Sequence, residues 1–313
     1  MESATAAPQR TDDMRALHFA MRLSLWIGML MFVMKVGAYL ITGSAAILSD
    51  AAESVVHVAA VIFASYSLRL TQRPADDCHL YGHTKIGFFS AGFEGALIGL
   101  AALYIIYAAA SKWMTGLQLE NLGIGTTLTA AAAVINGGLG AYLVRTGKRR
   151  NSLILVANGK HVLTDCWTSV GVLVGLGLTL VTGWLPWDPI CAIFVAVNIL
   201  VSGIGLIRQS VAGLMDHANP EVHDQVERIL EAQATEHGIR YHGLRHRNLG
   251  TMHWVDVHLL FHGDTPVQKA HQIATHIEER VRESLSAGAY VEAHLEAVED
   301  HKEVHPEGHH ATP

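Results

Sequence analysis

Residues 44–66 read SAAILSDAAESVVHVAAVIFASY, and residues 152–182 read SLILVANGKHVLTDCWTSVGVLVGLGLTLVT. Each is long and apolar enough to cross a bilayer, which takes roughly 20 residues of helix. Each also carries ionisable side chains where a bilayer is driest, and such groups normally face a cavity or a partner. Glu53 and His57 are four residues apart in the first stretch, and His161 and Asp165 are four apart in the second. Four residues is close to one helical turn, so each pair shares a face. Two such faces turned toward each other offer two imidazoles and two carboxylates, a complete ligand set for a tetrahedral divalent cation.

Four more apolar stretches lie near residues 23–42, 86–111, 122–144 and 190–211, so six transmembrane helices are expected. The composition agrees. Of the 313 residues 50% are apolar and only 16% are charged, against about 25% charged in a soluble chain. The net charge of −6 argues against a nucleic-acid partner. The three cysteines, Cys78, Cys166 and Cys191, are too few and scattered for a disulfide framework and read as reduced thiols. Residues 1–22 form a polar segment with no signal-peptide core, so the first span is expected to stay. Lys and Arg gather before the first span, between the second and third, between the fourth and fifth, and at Arg208. That bias puts both termini in the cytosol.

Other polar groups in the spans read more plainly. Lys35 snorkels or neutralises a carboxylate. Glu94 and Asn136 serve as interhelical hydrogen-bonding groups. Asp50 is an acceptor behind the ligands or a wall of the ion path. Between the second and third spans, Asp76-Asp77-Cys78-His79-Leu80-Tyr81-Gly82-His83 packs acid, thiol and two imidazoles into eight residues. Asp76 or Asp77 with His79 and His83 makes a second small metal site; a solvated polar loop is the plainer alternative.

Composition shifts at about residue 216, and fifteen of the 20 histidines lie from His217 onward. A helical pattern runs from Glu221 to about Gly238, with Val222, Val226, Ile229 and Leu230 on one face. Strand patterns follow near 240–247 and 252–262, then a helix from Pro266 to about Leu285, then a strand near 289–296. The order αββαβ makes an α+β domain with one buried sheet face, spanning 216–300 after a membrane domain at 23–215. His242, His258, His294 and Glu296 lie on or beside strands, and His271 on the second helix. The tail at 301–313 holds His301, His305, His309 and His310, either a weak metal tract or an incidental end.

With these residues in view, the chain resembles the cation diffusion facilitators, exporters of zinc-type divalent metals. The matching motifs are Ser44 to Glu53 running on to His57, Asp76 to His83 followed by Lys85, and His161-Val162-Leu163-Thr164-Asp165. The resemblance covers nearly the whole chain. It implies a transport site at Glu53, His57, His161 and Asp165, and a loop site at Asp76, His79 and His83. It also implies a cytosolic dimer-interface site at His242, His258, His271 and His294, with Glu296 where an Asp is often found. One departure stands out: members usually carry His and Asp, or two Asp, on the second span, and here Glu precedes His. The resemblance further implies a homodimer, a metallochaperone-like cytosolic domain, and an interlock at the membrane surface for which Lys85 and Asp216 stand in place.

The expected activity is efflux of a divalent cation, Zn²⁺ first, exchanged for protons by alternating access, with Zn²⁺ also at the structural or regulatory sites. Two nitrogens and two carboxylates also suit Fe²⁺, Co²⁺, Cd²⁺ or Mn²⁺, and the absence of sulfur ligands disfavours Cu(I). A membrane-bound metal sensor or adaptor is the rival reading. An enzyme is not expected, because neither an H-E-x-x-H helix nor a nucleophile elbow is present. The expected setting is a bacterial inner membrane.

Overall fold

The computed structural model describes residues 6–42, 45–115, 124–285 and 288–299. Within these, the side chains of 6–12, 35, 38–42, 45–54, 56, 112, 115, 124–129, 172, 176 and 188 lie outside the description. The chain separates into two compact units, Met1–Val211 and Ala212–Pro313.

Among the described residues, the first unit holds six helices: α1 (Ala6–Thr42), α2 (Ala45–Leu70), α3 (Ile86–Thr115), α4 (Ile124–Arg149), α5 (Leu153–Thr182) and α6 (Trp187–Leu214). Among the described residues, four helical stretches are long and apolar enough to cross a membrane: Asp13–Met34, Ile86–Ser111, Leu153–Thr182 and Pro189–Leu214. Of the expected second span, the described part is the apolar stretch His57–Leu70, and the side chains of residues 45–54 and 56 lie outside the description. Helix α4 mixes Gly, Thr and Asn with its apolar residues and ends on Lys148 and Arg149.

Helix α1 runs through residue 22 without a break, and its apolar stretch starts ten residues before the expected 23. Leu17, Ala20 and Met21 are buried there, at the i, i+3, i+4 spacing of a packed helix face, beside Val61, Ala64, Leu68, Leu139, Leu143 and Ile154. Three arginines hid that stripe in the sequence.

Buried polar contacts tie the helices where hydrocarbon offers no competing solvent. Asn158 Nδ2 on α5 donates to Ser24 Oγ on α1 at 3.0 Å. Ser210 Oγ on α6 donates to the Phe88 carbonyl on α3 at 2.7 Å. Helix α5 starts on Ser152, whose hydroxyl accepts from Leu155 N, and stops on Gly183 in the left-handed region.

The second unit has the expected order: α7 (Pro220–His237), β1 (Arg240–Asn248), β2 (His253–Phe261), α8 (Val267–Ser284) and β3 (Ala289–Ala297). Asn219 caps α7 by accepting from Glu221 N, Pro220 sits at its start, and Gly238 closes it. The sheet order is β1-β2-β3, with β1–β2 antiparallel and β2–β3 parallel. Helix α8 is the crossover a parallel pair requires. Val255, Val257, Leu259 and Phe261 alternate inward, onto Val226, Leu230, Ala270, Ala274, Ile277 and Val281. The amphipathic helices and the one-sided sheet therefore share a single core. The register of β1 shifts between His242 and Arg245, where Gly243 has φ 62°. The bulge keeps Tyr241 and Leu244 on the core side.

Candidate metal centres

In the helical unit, His57, His161 and Asp165 place one ligand atom each within 4.8 Å of one another. Helix α2 supplies His57 and α5 supplies the other two. His57 Nδ1 is 3.7 Å from Asp165 Oδ2, and the two imidazole centroids are 5.0 Å apart at 65°. Glu53 lies one turn before His57 on α2, and its side chain is outside the described residues, as are those of Asp50 and Lys35.

A fourth group completes the arrangement. His161 Nδ1 donates to Glu94 Oε2 on α3 at 2.7 Å. A carboxylate only accepts, so this bond fixes the proton on Nδ1 and leaves the Nε2 lone pair for a metal. Glu94 is 1% exposed, and its other oxygen has no hydrogen-bond partner among the described residues. Glu94 is thus an interhelical hydrogen-bonding group, as its place in a span suggested. Its partner could not be read from the sequence, because 67 residues separate the two.

On the other side of the site, α1 passes close to His57. A Cβ built on Gly28 would lie 3.2 Å from His57 Cδ2. Glycine there lets the imidazole sit between α1 and α5.

In the loop after α2, Asp76, His79 and His83 converge in the same way, and Asp77 is not among them. Asp76 Oδ1 accepts from the backbone N of Cys78 and His79, at 3.0 and 2.7 Å, and from His79 Nδ1 at 3.0 Å. Asp76 Oδ2 lies 3.3 Å from His83 Nε2, and the two rings are 4.4 Å apart. The side-chain hydrogen bond from His79 leads the causes that hold the Asp76 carboxyl below its ordinary value.

In the second unit, β pairing puts three histidines in a row. His242 is opposite His258, and His258 is opposite His294. The His242–His258 and His258–His294 centroids are 4.8 and 5.0 Å apart. Glu296, two residues along β3 on the same face, joins them. Its Oε2 accepts from His242 Nε2 at 2.9 Å and its Oε1 from His258 Nδ1 at 2.6 Å, while His294 Nε2 stands 3.8 Å away. Burial alone would push the Glu296 carboxyl up. The hydrogen bonds and charges of His242 and His258 outweigh it and hold the group down to about 2. His242, His258 and Glu296 have the convergence of a metal site; His271 lies exposed on α8 and is not part of the group. The tail histidines lie outside the described residues.

A family model described as the cation efflux transmembrane domain matches residues 21–215, and one described as the cation efflux protein cytoplasmic domain matches 218–298. The chain belongs to the cation diffusion facilitator family. As a cation diffusion facilitator, it is an integral membrane protein of divalent cation efflux with a cytoplasmic dimerisation-type domain. An uncharacterized transporter of Synechocystis sp., sll1263, is 39% identical over 280 residues, covering 90% of each chain. The cation-efflux pump FieF of Citrobacter koseri is 26% identical over 253 residues, covering 80% of this chain and 83% of that one. Solved chains of CzrB, one in a Zn form, are 25% and 24% identical and cover 26% and 27% of this chain and 96% and 94% of theirs. Their TM-scores are 0.24 and 0.26. The named relatives are a transporter and a cation-efflux pump.

Proposed function

We propose that this cation diffusion facilitator exports Zn²⁺ in exchange for protons, by alternating access, through a site made of Glu53, His57, His161 and Asp165. The observation that carries this reading is the convergence of His57 from α2 with His161 and Asp165 from α5 inside a membrane domain. A sensor needs no ligands at that depth, where ionisable groups are costly. Imidazole and carboxylate donors suit a borderline divalent cation better than Mg²⁺ or Ca²⁺, which take oxygen throughout.

Ligands must lose their protons to bind metal. Imidazole changes protonation near neutral pH, so protons reaching His57 and His161 from outside compete directly with the bound ion. Proton entry then accompanies metal exit. Glu94 holds the His161 ring in the tautomer that presents Nε2, an arrangement common behind metal-bound imidazoles. The six helices are all spans, with both termini in the cytosol of a bacterial inner membrane. Two copies join through the cytosolic domains. The loop cluster and the strand cluster hold Zn²⁺, and the latter senses it.

The test is zinc uptake into proteoliposomes that contain a zinc-sensitive dye under an imposed pH gradient. Wild type, Asp165→Ala and His258→Ala are compared, with Co²⁺, Fe²⁺, Cd²⁺ and Mn²⁺ run in parallel. Gradient-driven flux abolished only by Asp165→Ala supports the reading. Metal binding without flux of any ion would replace it with a sensor.

A further inference from the structure

Of the cytosolic-domain histidines outside the clusters described above, three lie near one another at one end of the sheet. His223 lies in the first turn of α7, His246 near the end of β1, and His253 at the start of β2. His246 is paired with Val255, and His253 is two residues from Val255 on the same strand. Both imidazoles therefore occupy the sheet face that carries the core, as diagonal neighbours across an antiparallel pair. They stand at the end of an apolar row, where a Val or Leu would be the ordinary choice.

Both are more than nine-tenths buried, at 7% and 9% exposed. His246 Nε2 and His253 Nδ1 are buried with no hydrogen-bond partner among the described residues. A buried polar atom without a partner is rare in native proteins and asks for an explanation such as a bound ion. His223 supplies a third ring, its centroid 5.4 Å from that of His246. Zinc sits about 2.0–2.1 Å from an imidazole nitrogen, which puts tetrahedrally arranged ring centroids roughly 5 Å apart. The proposed ligands His57–His161 and His242–His258 stand at 5.0 and 4.8 Å.

We infer that His223, His246 and His253 form a further metal site, made of imidazole alone, which takes a borderline divalent cation and clamps the start of α7 onto the β1–β2 end of the sheet. Burial, helped by the nearby charges of His223 and His253, lowers His246 to about 4, and burial lowers His253 as well. Both rings are then neutral at physiological pH, with lone pairs ready for metal. The ring nitrogens are not gathered as tightly as in the three clusters with mutual distances within 4.8 Å. Closing the site takes rotation of His223, the least buried of the three. With no carboxylate in the set, Zn²⁺, Co²⁺, Ni²⁺ and Cu²⁺ fit, and Mg²⁺ and Ca²⁺ do not. Water completes the coordination.

The test uses the full-length protein in detergent, with Co²⁺ alone as the probe. The background carries His57→Ala, Asp165→Ala, His79→Ala, His83→Ala, His258→Ala and Glu296→Ala. Bound cobalt is read by elemental analysis and by its visible absorption. The expected result is one Co²⁺ per chain that disappears on adding His246→Gln and His253→Gln, with at least a tenfold weaker affinity on adding His223→Gln alone. Because the buried pair could affect folding, His223→Gln, on a half-exposed helix turn, carries the test independently. As a second measurement, His246→Leu with His253→Val should fold at least as well without metal and lose the Zn²⁺-induced rise in melting temperature. Bound cobalt and zinc protection that ignore all three changes would overturn the site.

Discussion

Glu94 Oε2 accepts a 2.7 Å hydrogen bond from His161 Nδ1, joining α3 to α5 behind the proposed transport ligands. Loss of a carboxylate behind a metal-bound imidazole typically costs about 10–100-fold in metal affinity or activity. Glu94→Leu is expected to lower zinc flux within that range. Glu94→Gln, which keeps an acceptor oxygen, should fall between it and wild type. A side chain that merely filled space would tolerate leucine as well as glutamine, so the order of the two variants in the uptake assay decides the matter.

Gly28 and His57 define the opposite wall. A Cβ at Gly28 would stand 3.2 Å from His57 Cδ2, tight enough that the ring must give. Gly28→Ala should weaken zinc transport several-fold, and Gly28→Val should nearly abolish it, while the protein still elutes as a folded species in detergent. Equal flux in Gly28→Val and wild type would mean that the ring position does not matter.

The strand cluster predicts a separable effect. Glu296 binds two imidazoles with its two oxygens. Glu296→Gln keeps the shape, removes the charge and replaces one acceptor oxygen with a donor. Zinc affinity at this cluster, measured by titration calorimetry with the loop and membrane ligands and His223 replaced by Ala, should drop sharply. Transport at saturating zinc should change far less.

Metal-free protein should show an acid-sensitive cytosolic domain. His246 titrates near 4 when folded, largely because it is buried, against an ordinary 6.5. Between these values the unfolded chain binds more protons than the folded one, so stability rises with pH across this window. The contribution is complete above about 6.5 and is lost as pH falls toward 4. It is worth on the order of 3 kcal/mol at most, from 1.36 kcal/mol per pKa unit. In the protein stripped with chelator, the melting transition of His246→Leu should shift less between pH 7 and pH 5 than that of wild type. An unchanged difference would remove His246 from the acid response.

The parts legible in the sequence were those set by local period. The four-residue spacing of His161 and Asp165 says, without any tertiary information, that the two share a face. The αββαβ order followed from alternation and from helix stops such as Gly238. The first helix was less readable, because Leu17, Ala20 and Met21 are interleaved with Arg15, His18 and Arg22. The Glu94–His161 bond depends on how α3 and α5 pack, which no local pattern encodes. His246 and His253 were lost among fifteen histidines. Their inward facing follows from the shift of register at Gly243 and from strand pairing.

The row His242–His258–His294 and the apolar row Val255–Val257–Leu259 lie on opposite faces of one sheet. A slip of β3 by a single residue would turn His294 and Glu296 into the core and carry Val291 and Leu295 out to solvent. The same error that dismantles the oily interior also scatters the metal ligands. An ion held by this row therefore acts as a proofreader of the domain, since only a chain whose strands are in register can take it up.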